Sequence, residues 1–242
     1  MLRFCLRLAG LVLLFGSSSS ARSAHAALID FTDASFWGNV TGLTSVTKTV
    51  AGVGNVTVTG FTATSTPAAL RNFQLFDGVG GAGAYGFCSA ASGPLACQRD
   101  GFGVGTDDEV GVSGSERLVV EFAIPVTLAR FHFLDLFTAE TGTADLATEQ
   151  AGWSINGGAV AGLLGTSSHF GSGTGAGYAN IAVGNGGVTS VSFRALTPNN
   201  SDFALAAIEV VPLPGAALLF ATGLAGLAWA RRRQPGHAQN IA

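Results

Sequence analysis

The residues from Val210 to Ala230 contain no ionisable side chain, and Arg231, Arg232 and Arg233 follow at once. A helix rises about 1.5 Å per residue and a bilayer core is about 30 Å thick, so about twenty apolar residues are enough to cross it. This stretch just meets that length. Gly223 and Gly226 would weaken a helix in water but are common in membrane helices. The arginine triplet is expected to stop transfer and to stay in the cytoplasm, because cytoplasmic flanks carry the positive charge. Everything ahead of Val210 then lies outside the membrane, and residues 235–242 form a short cytoplasmic tail. The competing reading, a buried core helix, fits poorly with the charge-free length and the abutting arginines.

The front of the chain reads as a secretory signal over residues 1–26. Arg3 and Arg7 form its positive end, Leu8 to Phe15 its apolar region, and Ala24-His25-Ala26 a small-x-small cleavage site. The expected cut follows Ala26, with Ala24 or Ala21 as alternatives. An uncleaved anchor is disfavoured by the polar break Ser17–Ser20. These two segments divide the chain into a signal peptide (1–26), an exported domain (27–209), a C-terminal membrane segment (210–234) and the tail (235–242).

Setting the targeting segments aside changes the charge. The whole chain carries a formal −3, but six of its twelve basic residues lie in those segments, while all fifteen acids fall between Asp30 and Glu209. The exported part therefore carries six bases against fifteen acids, a net −9, and its single lysine is Lys48. Such a surface repels nucleic acid and anionic headgroups and suits cations or simple solubility. Cysteine usage agrees with export. Cys5 leaves with the signal, and Cys88 and Cys97, with eight residues between them in a loop-like stretch, are placed to form a disulfide in an oxidising compartment. The alternative, a metal pair, has no cysteine or histidine partner nearby, since His132 and His169 are distant in sequence.

The exported region is rich in Gly, Thr, Ser, Val and Phe and poor in Lys, Glu, Met and Gln, a composition that favours short strands and glycine turns over helices. Asn55–Phe61 alternates strictly, placing Val56 and Val58 on one face. Arg117–Ile124 is a strand expected to stop at Pro125, which cannot donate to a ladder. Val126–Phe137 is the longest strand candidate, with Phe131, Phe133 and Phe137 on the face of Asp135. Asn156-Gly157 marks a hairpin after Trp153, Asn185-Gly186-Gly187 marks another between Tyr178–Val183 and Val188–Leu196, and Asp202–Val211 is the last strand. The expected fold is all-β: a single antiparallel β-sandwich or jelly roll, bounded by the signal peptide and one C-terminal transmembrane helix.

That last strand runs directly into Val211-Pro212-Leu213-Pro214, followed by the apolar span with Ala221-Thr222-Gly223-Leu224-Ala225-Gly226-Leu227 and then Arg231–Arg233. This order of parts resembles the PEP-CTERM family of bacterial sorting tails. Leu213 stands where the family's glutamate lies between the prolines, as in its Val-Pro-Leu-Pro-Ala variants, and Gly215 replaces the alanine. The resemblance implies recognition at Val211, Pro212, Leu213 and Pro214 by an exosortase, a membrane-embedded cysteine protease or transpeptidase. It also implies a Gram-negative source and a place in the cell envelope or an extracellular polysaccharide matrix. The exported part is loosely similar to domains that precede such tails, through Gly101–Glu109 and Asp202-Phe203-Ala204.

Catalytic motifs are scarce. Gly78-Val-Gly80-Gly-Ala-Gly83 matches a dinucleotide spacing but leads into Tyr85 and the Cys88 loop with no helix to hold a pyrophosphate. The loop Gly165–Gly177 lacks the lysine that a phosphate-gripping loop needs. No G-x-S-x-G or H-E-x-x-H occurs, and a triad from Ser168, His132 or His169, and Asp135 rests on residue types alone. Glycosidase carboxylates are set by spatial and not sequence spacing. No enzyme and no resident cofactor are expected. The most distinctive polar cluster is Asp107, Asp108 and Glu109, with Asp100 nearby and Asp202 as a further ligand. It offers the oxygen donors that calcium favours, though not at EF-hand spacing, and otherwise reads as a solvated loop. Trp37, Trp153, Tyr85 and Tyr178 are candidates for a sugar platform, Trp153 being expected in the core. A lectin-like, calcium-supported carbohydrate module and a secreted hydrolase are the rival readings.

Overall fold

Valine, threonine and phenylalanine dominate the alternating segments, and those segments are strands. The computed structural model of the chain describes residues 26–62, 65–72, 94–105, 109–111, 115–138, 148–166, 177–196 and 201–211. Residues 1–25 with Ala24 among them, Cys88, Asp107, Asp108, Ser168, His169, Tyr85, the 78–83 glycine loop and everything from Pro212 onward, Leu213, Pro214 and Arg231–Arg233 included, lie outside them. The strands are β1 (Ala27–Asp30), β2 (Ser45–Val50), β3 (Gly54–Phe61), β4 (Pro67–Ala68), β5 (Leu70–Arg71), β6 (Gly103–Val104) and β7 (Arg117–Leu134). They continue with β8 (Gln150–Ile155), β9 (Val160–Leu164), β10 (Ala179–Ala182), β11 (Val188–Ala195) and β12 (Ala204–Val211). A single helical turn, α1 (Ala34–Trp37), is capped by Asp33, whose Oδ1 accepts from the Ser35 and Phe36 N–H groups. The chain is thus mostly β, and among the described residues ten strands join one large antiparallel sheet, with β5 and β6 as a separate pair.

β7 organises that sheet. Its first part, Arg117 to Phe122, lies between β3 and β11; its second, Thr127 to Leu134, lies between β12 and β10. The strand runs through Pro125, which does not stop it as expected. The reason is local. Pairing with β3 ends at Phe122, pairing with β12 begins at Thr127, and the β11 register skips from Glu121 to Val126. Among the described residues no neighbour there needs the N–H that proline lacks.

A second expectation is corrected beside it. β10 and β11 do not pair with each other across Asn185-Gly186-Gly187. Both pair with β7, β10 with its second part and β11 with its first. Between them the chain keeps following β7, through Val183 N–H to Ala129 O at 2.9 Å and Leu128 N–H to Asn185 O at 2.7 Å. The turn residues bend one long run instead of reversing it. At Asn156-Gly157 the expected hairpin does form: β8 pairs β9, and both turn residues have positive φ (49° and 72°).

The two parts of the sheet face each other. Phe193 sits opposite Leu118 in the β11–β7 register, thirteen residues along β7 from Phe131. A straight strand would separate those positions by about 43 Å at about 3.3 Å per residue. Yet the Phe131 and Phe193 rings lie 5.0 Å apart, and Phe131 meets Trp153 at 5.6 Å. β7 therefore bends back over itself at the exposed segment Ala123–Pro125. A bulge helps aim the side chains. Val210 pairs with Leu128 and Glu209 with Arg130, leaving Ala129 as the extra residue. The inward set thereby changes from the even positions Leu118, Val120, Phe122, Val126 and Leu128 to Phe131 and Phe133, all buried. Phe133 completes the layer against Phe203 at 5.3 Å. Trp37 and Trp153, 2% and 6% exposed, belong to this core and not to a surface platform.

The outer face of the second part is covered by Leu95 and Cys97, which pack on Leu134, Ala204, Ala206 and Ala207. Asp30 holds that cover by accepting the Ala96 N–H at 2.6 Å, and Cys97 N–H donates to Thr32 Oγ1 at 2.8 Å. β12 is consequently buried on both faces. We expect Phe131→Ala or Phe193→Ala to cost about 3–5 kcal/mol in urea unfolding. Pro125→Ala, at an exposed site with no ladder bond, is expected to change stability by about 0.5 kcal/mol or less. A large loss at Pro125, or none at the two rings, would contradict the bend described.

Candidate functional site

Alternation on β7 sends Arg130 and His132 to the outer face, opposite the inward Phe131 and Phe133. The register places Asn180 of β10 on one side of His132 and Ala207 of β12 on the other, with Ala182 and Glu209 flanking Arg130. Tyr178, just ahead of β10, reaches the same spot. His132 Nδ1 lies 2.8 Å from the Tyr178 hydroxyl, and Nε2 lies 3.0 Å from Glu209 Oε1. Asn180 Nδ2 donates to the Tyr178 hydroxyl at 3.2 Å, and its Oδ1 accepts from Arg130. Arg130 Nε stands 4.0 Å from Glu209 Oε2. This five-residue cluster was not legible in the sequence, because its members come from three strands and a loop.

Its chemistry is that of a cross-strand link. Both ring nitrogens of His132 are engaged, Nδ1 with the Tyr178 hydroxyl and Nε2 with the Glu209 carboxylate. Burial pushes the His132 imidazole below its ordinary value, while the Glu209 carboxylate acts in the opposite sense. Burial likewise raises the Tyr178 phenol above its ordinary value. The imagined pairing of His132 with Asp135 does not occur: the histidine's partners are Tyr178 and Glu209. Asp135 instead sits buried after the end of β7, with φ 53°.

The acidic loop is only partly described. Asp100 is buried, and Glu109 and Asp202 are half-buried, while Asp107 and Asp108 lie outside the described residues. The fold does bring the expected neighbours close, since Val110 N–H donates to Phe203 O at 2.8 Å. Glu109 and Asp202 thus stand on adjacent chain segments. Among the described residues no group of three or more His, Cys, Asp or Glu is arranged to hold a metal ion. Of the sorting motif, Val211 is described, as the end of β12 opposite Thr127. Ala26, the residue before the expected cut, immediately precedes β1. Among the described residues no helix is long and apolar enough to cross a membrane, and the expected span lies beyond them.

Comparison with family models, with curated proteins and with solved structures finds no match to this chain.

The His132 cluster makes stability depend on pH with a definite sign. The folded state disfavours the imidazolium, so below the ordinary value of 6.5 the unfolded chain binds more protons. The contribution of His132 is then complete above that pH and is lost as pH falls, with a slope of at most about 1.4 kcal/mol per pH unit for one proton. Asp30, raised mainly by burial, acts oppositely: its contribution is complete below its ordinary 3.8 and is lost as pH rises. We expect His132→Gln to flatten the fall in melting temperature between about pH 7 and about pH 5.5. An unchanged pH profile would show that His132 is not the responsible group.

Proposed function

We propose that the chain is an exported protein of the bacterial cell envelope or extracellular matrix, sorted through its C-terminal tail by an exosortase-type enzyme. In this reading the folded-over sheet is a single β-sandwich of jelly-roll type, carried across the inner membrane by the signal peptide. The body lies in the periplasm while the tail is intact, and at the cell surface or outside it after processing. Val211, Pro212, Leu213 and Pro214 are what the enzyme reads, and Arg231–Arg233 hold the helix in place until it does. These residues are substrate features, and the body's role is structural or binding instead of catalytic.

One observation carries the reading beyond the tail pattern itself. Ala27 lies opposite Val210 in the β1–β12 register. β1 begins directly after the expected signal cleavage site, and β12 ends at the first residue of the proline motif. Both targeting segments therefore leave the body at neighbouring points on adjacent strands. A domain that starts translocation on one membrane segment and ends it on another suits such an exit. The same reading includes a Cys88–Cys97 disulfide, which export would permit and which would tie down the loop covering β12.

We expect mass spectrometry of the mature protein from its native host to find a C-terminus at or near the proline motif. Pro212→Ala combined with Pro214→Ala is expected to leave the full tail in the inner membrane. A double variant processed like the wild type would rule out sorting through this motif.

A further inference from the structure

The outer face of the sheet's first part is polar, and among the described residues no segment is laid over it as Leu95 and Cys97 are over the second. Its residues fall into cross-strand rows. Phe61 is opposite Arg117, Glu121 is opposite Ser190, and Ser192 is opposite Ser154. These six side chains line a groove of about 320 Å³, within the range of small-ligand clefts, about 300–1,000 Å³.

The polar groups around the groove divide into two kinds. On the β2–β3 hairpin beside it, hydroxyls satisfy one another. Ser45 and Thr59 are 3.0 Å apart, Thr47 and Thr57 2.8 Å, and Thr49 donates to Asn55 at 2.7 Å. Within the groove, the hydroxyls of Ser154, Ser190 and Ser192 and the carboxylate of Glu121 have no side-chain partner among the described residues. Arg117 stacks on Phe61 at 4.9 Å and gives Ser65 Oγ one bond at 3.3 Å, which leaves further guanidinium donors. Three open hydroxyls, a carboxylate and a guanidinium beside a ring thus converge on one trough.

That set matches a ligand dense in neighbouring hydroxyls. A carboxylate accepts from two adjacent hydroxyls and a guanidinium donates to two, while serine does either. Charge selects within that class. The exported part's net −9 repels a polyanion, and the groove's one cation is balanced by Glu121. Length selects further. The row Ser45–Thr59–Val119–Ser192–Ser154 crosses five strands, about 19 Å at about 4.8 Å per spacing, which is room for several sugar units in line. The larger trough beneath the β8–β9 turn, about 450 Å³, offers less. Its Asn156 is already bound to Thr189, Ser190 and Gly187.

We propose that this groove binds a neutral polysaccharide chain, with Glu121, Arg117 and the three serines engaging its hydroxyls and the Phe61–Arg117 stack closing one end. The assignment does not rest on how the tail is processed. It is tested by calorimetry on the purified full-length chain in a sugar-free detergent, against dextran, laminarin and cellohexaose, with polygalacturonate as the acidic control. At least one neutral glycan is expected to bind, and Glu121→Gln and Ser192→Phe each to weaken it about tenfold or more. Asn180→Ala, on the outer face of the sheet's other part, is expected to leave binding unchanged, and thermal melting checks that each variant is folded. Absence of binding to every neutral glycan would overturn the proposal, as would binding of polygalacturonate alone or affinity retained in folded Glu121→Gln. A concentration-dependent dimer abolished by Ser192→Phe would overturn it in favour of a second copy of the chain on this face.

Discussion

The structure depends on one strand changing its neighbours. β7 pairs with β3 and β11 over its first part and with β12 and β10 over its second. Only because it bends back between them do Phe131 and Phe133 meet Trp153 and Phe193 edge to face or stacked. Aromatic pairs of this kind add about 0.5–1.5 kcal/mol each beyond the area they bury. The bend also decides which surface each part offers. On one outer face, hydroxyls and charges remain open. On the other, the segment with Leu95 and Cys97 is laid over an alanine-rich strand, and Tyr178 of the His132 cluster packs against it.

Much of the strand pattern was legible in the residues. Val56 and Val58 point inward as strict alternation requires, and Asn156-Gly157 turns the chain as its backbone preference dictates. What failed, failed for non-local reasons. Pro125 signals an end only if a neighbour needs its N–H, and the absence of such a neighbour is a property of the partner registers. The Asn185–Gly187 turn chemistry is real, but whether such a turn reverses a chain or bends it depends on β7 lying alongside. β1, β2 and α1 were not anticipated: β1 and α1 are too short for a period to register, and α1 is held by the Asp33 cap. Trp37 had no local signal to choose between core and surface. The groove residues were invisible for a further reason. Ser154, Ser190 and Ser192 are ordinary solvent-facing serines until the register sets them beside Glu121 and Arg117.

In the proposed arrangement the last strand of the body leads straight into the sorting motif. β12 is paired on both edges, by β1 and by β7, and buried on both faces, and its last residue Val211 already belongs to the proline motif. In the proposed arrangement the body therefore rests against the membrane until the motif is cut. An enzyme reading Pro212–Pro214 would work at the rim of a rigid sheet. The side of the sheet carrying the open hydroxyls is set by strands β2, β3, β7, β11 and β8, and β12 does not pair with its first part. In that arrangement the proposed binding face and the proposed sorting motif occupy separable parts of one molecule.

The topology we propose places the acidic β body on the far side of the inner membrane, held by a helix whose arginine plug stays in the cytoplasm. Single cysteines introduced at Ser45 and at Gln234 test it in spheroplasts of a host without an exosortase, read with a membrane-impermeant maleimide against the wild-type background. The account predicts labelling of Ser45→Cys in intact spheroplasts and of Gln234→Cys only after permeabilisation. Labelling of Gln234→Cys in intact spheroplasts, or protection of Ser45→Cys, would contradict it.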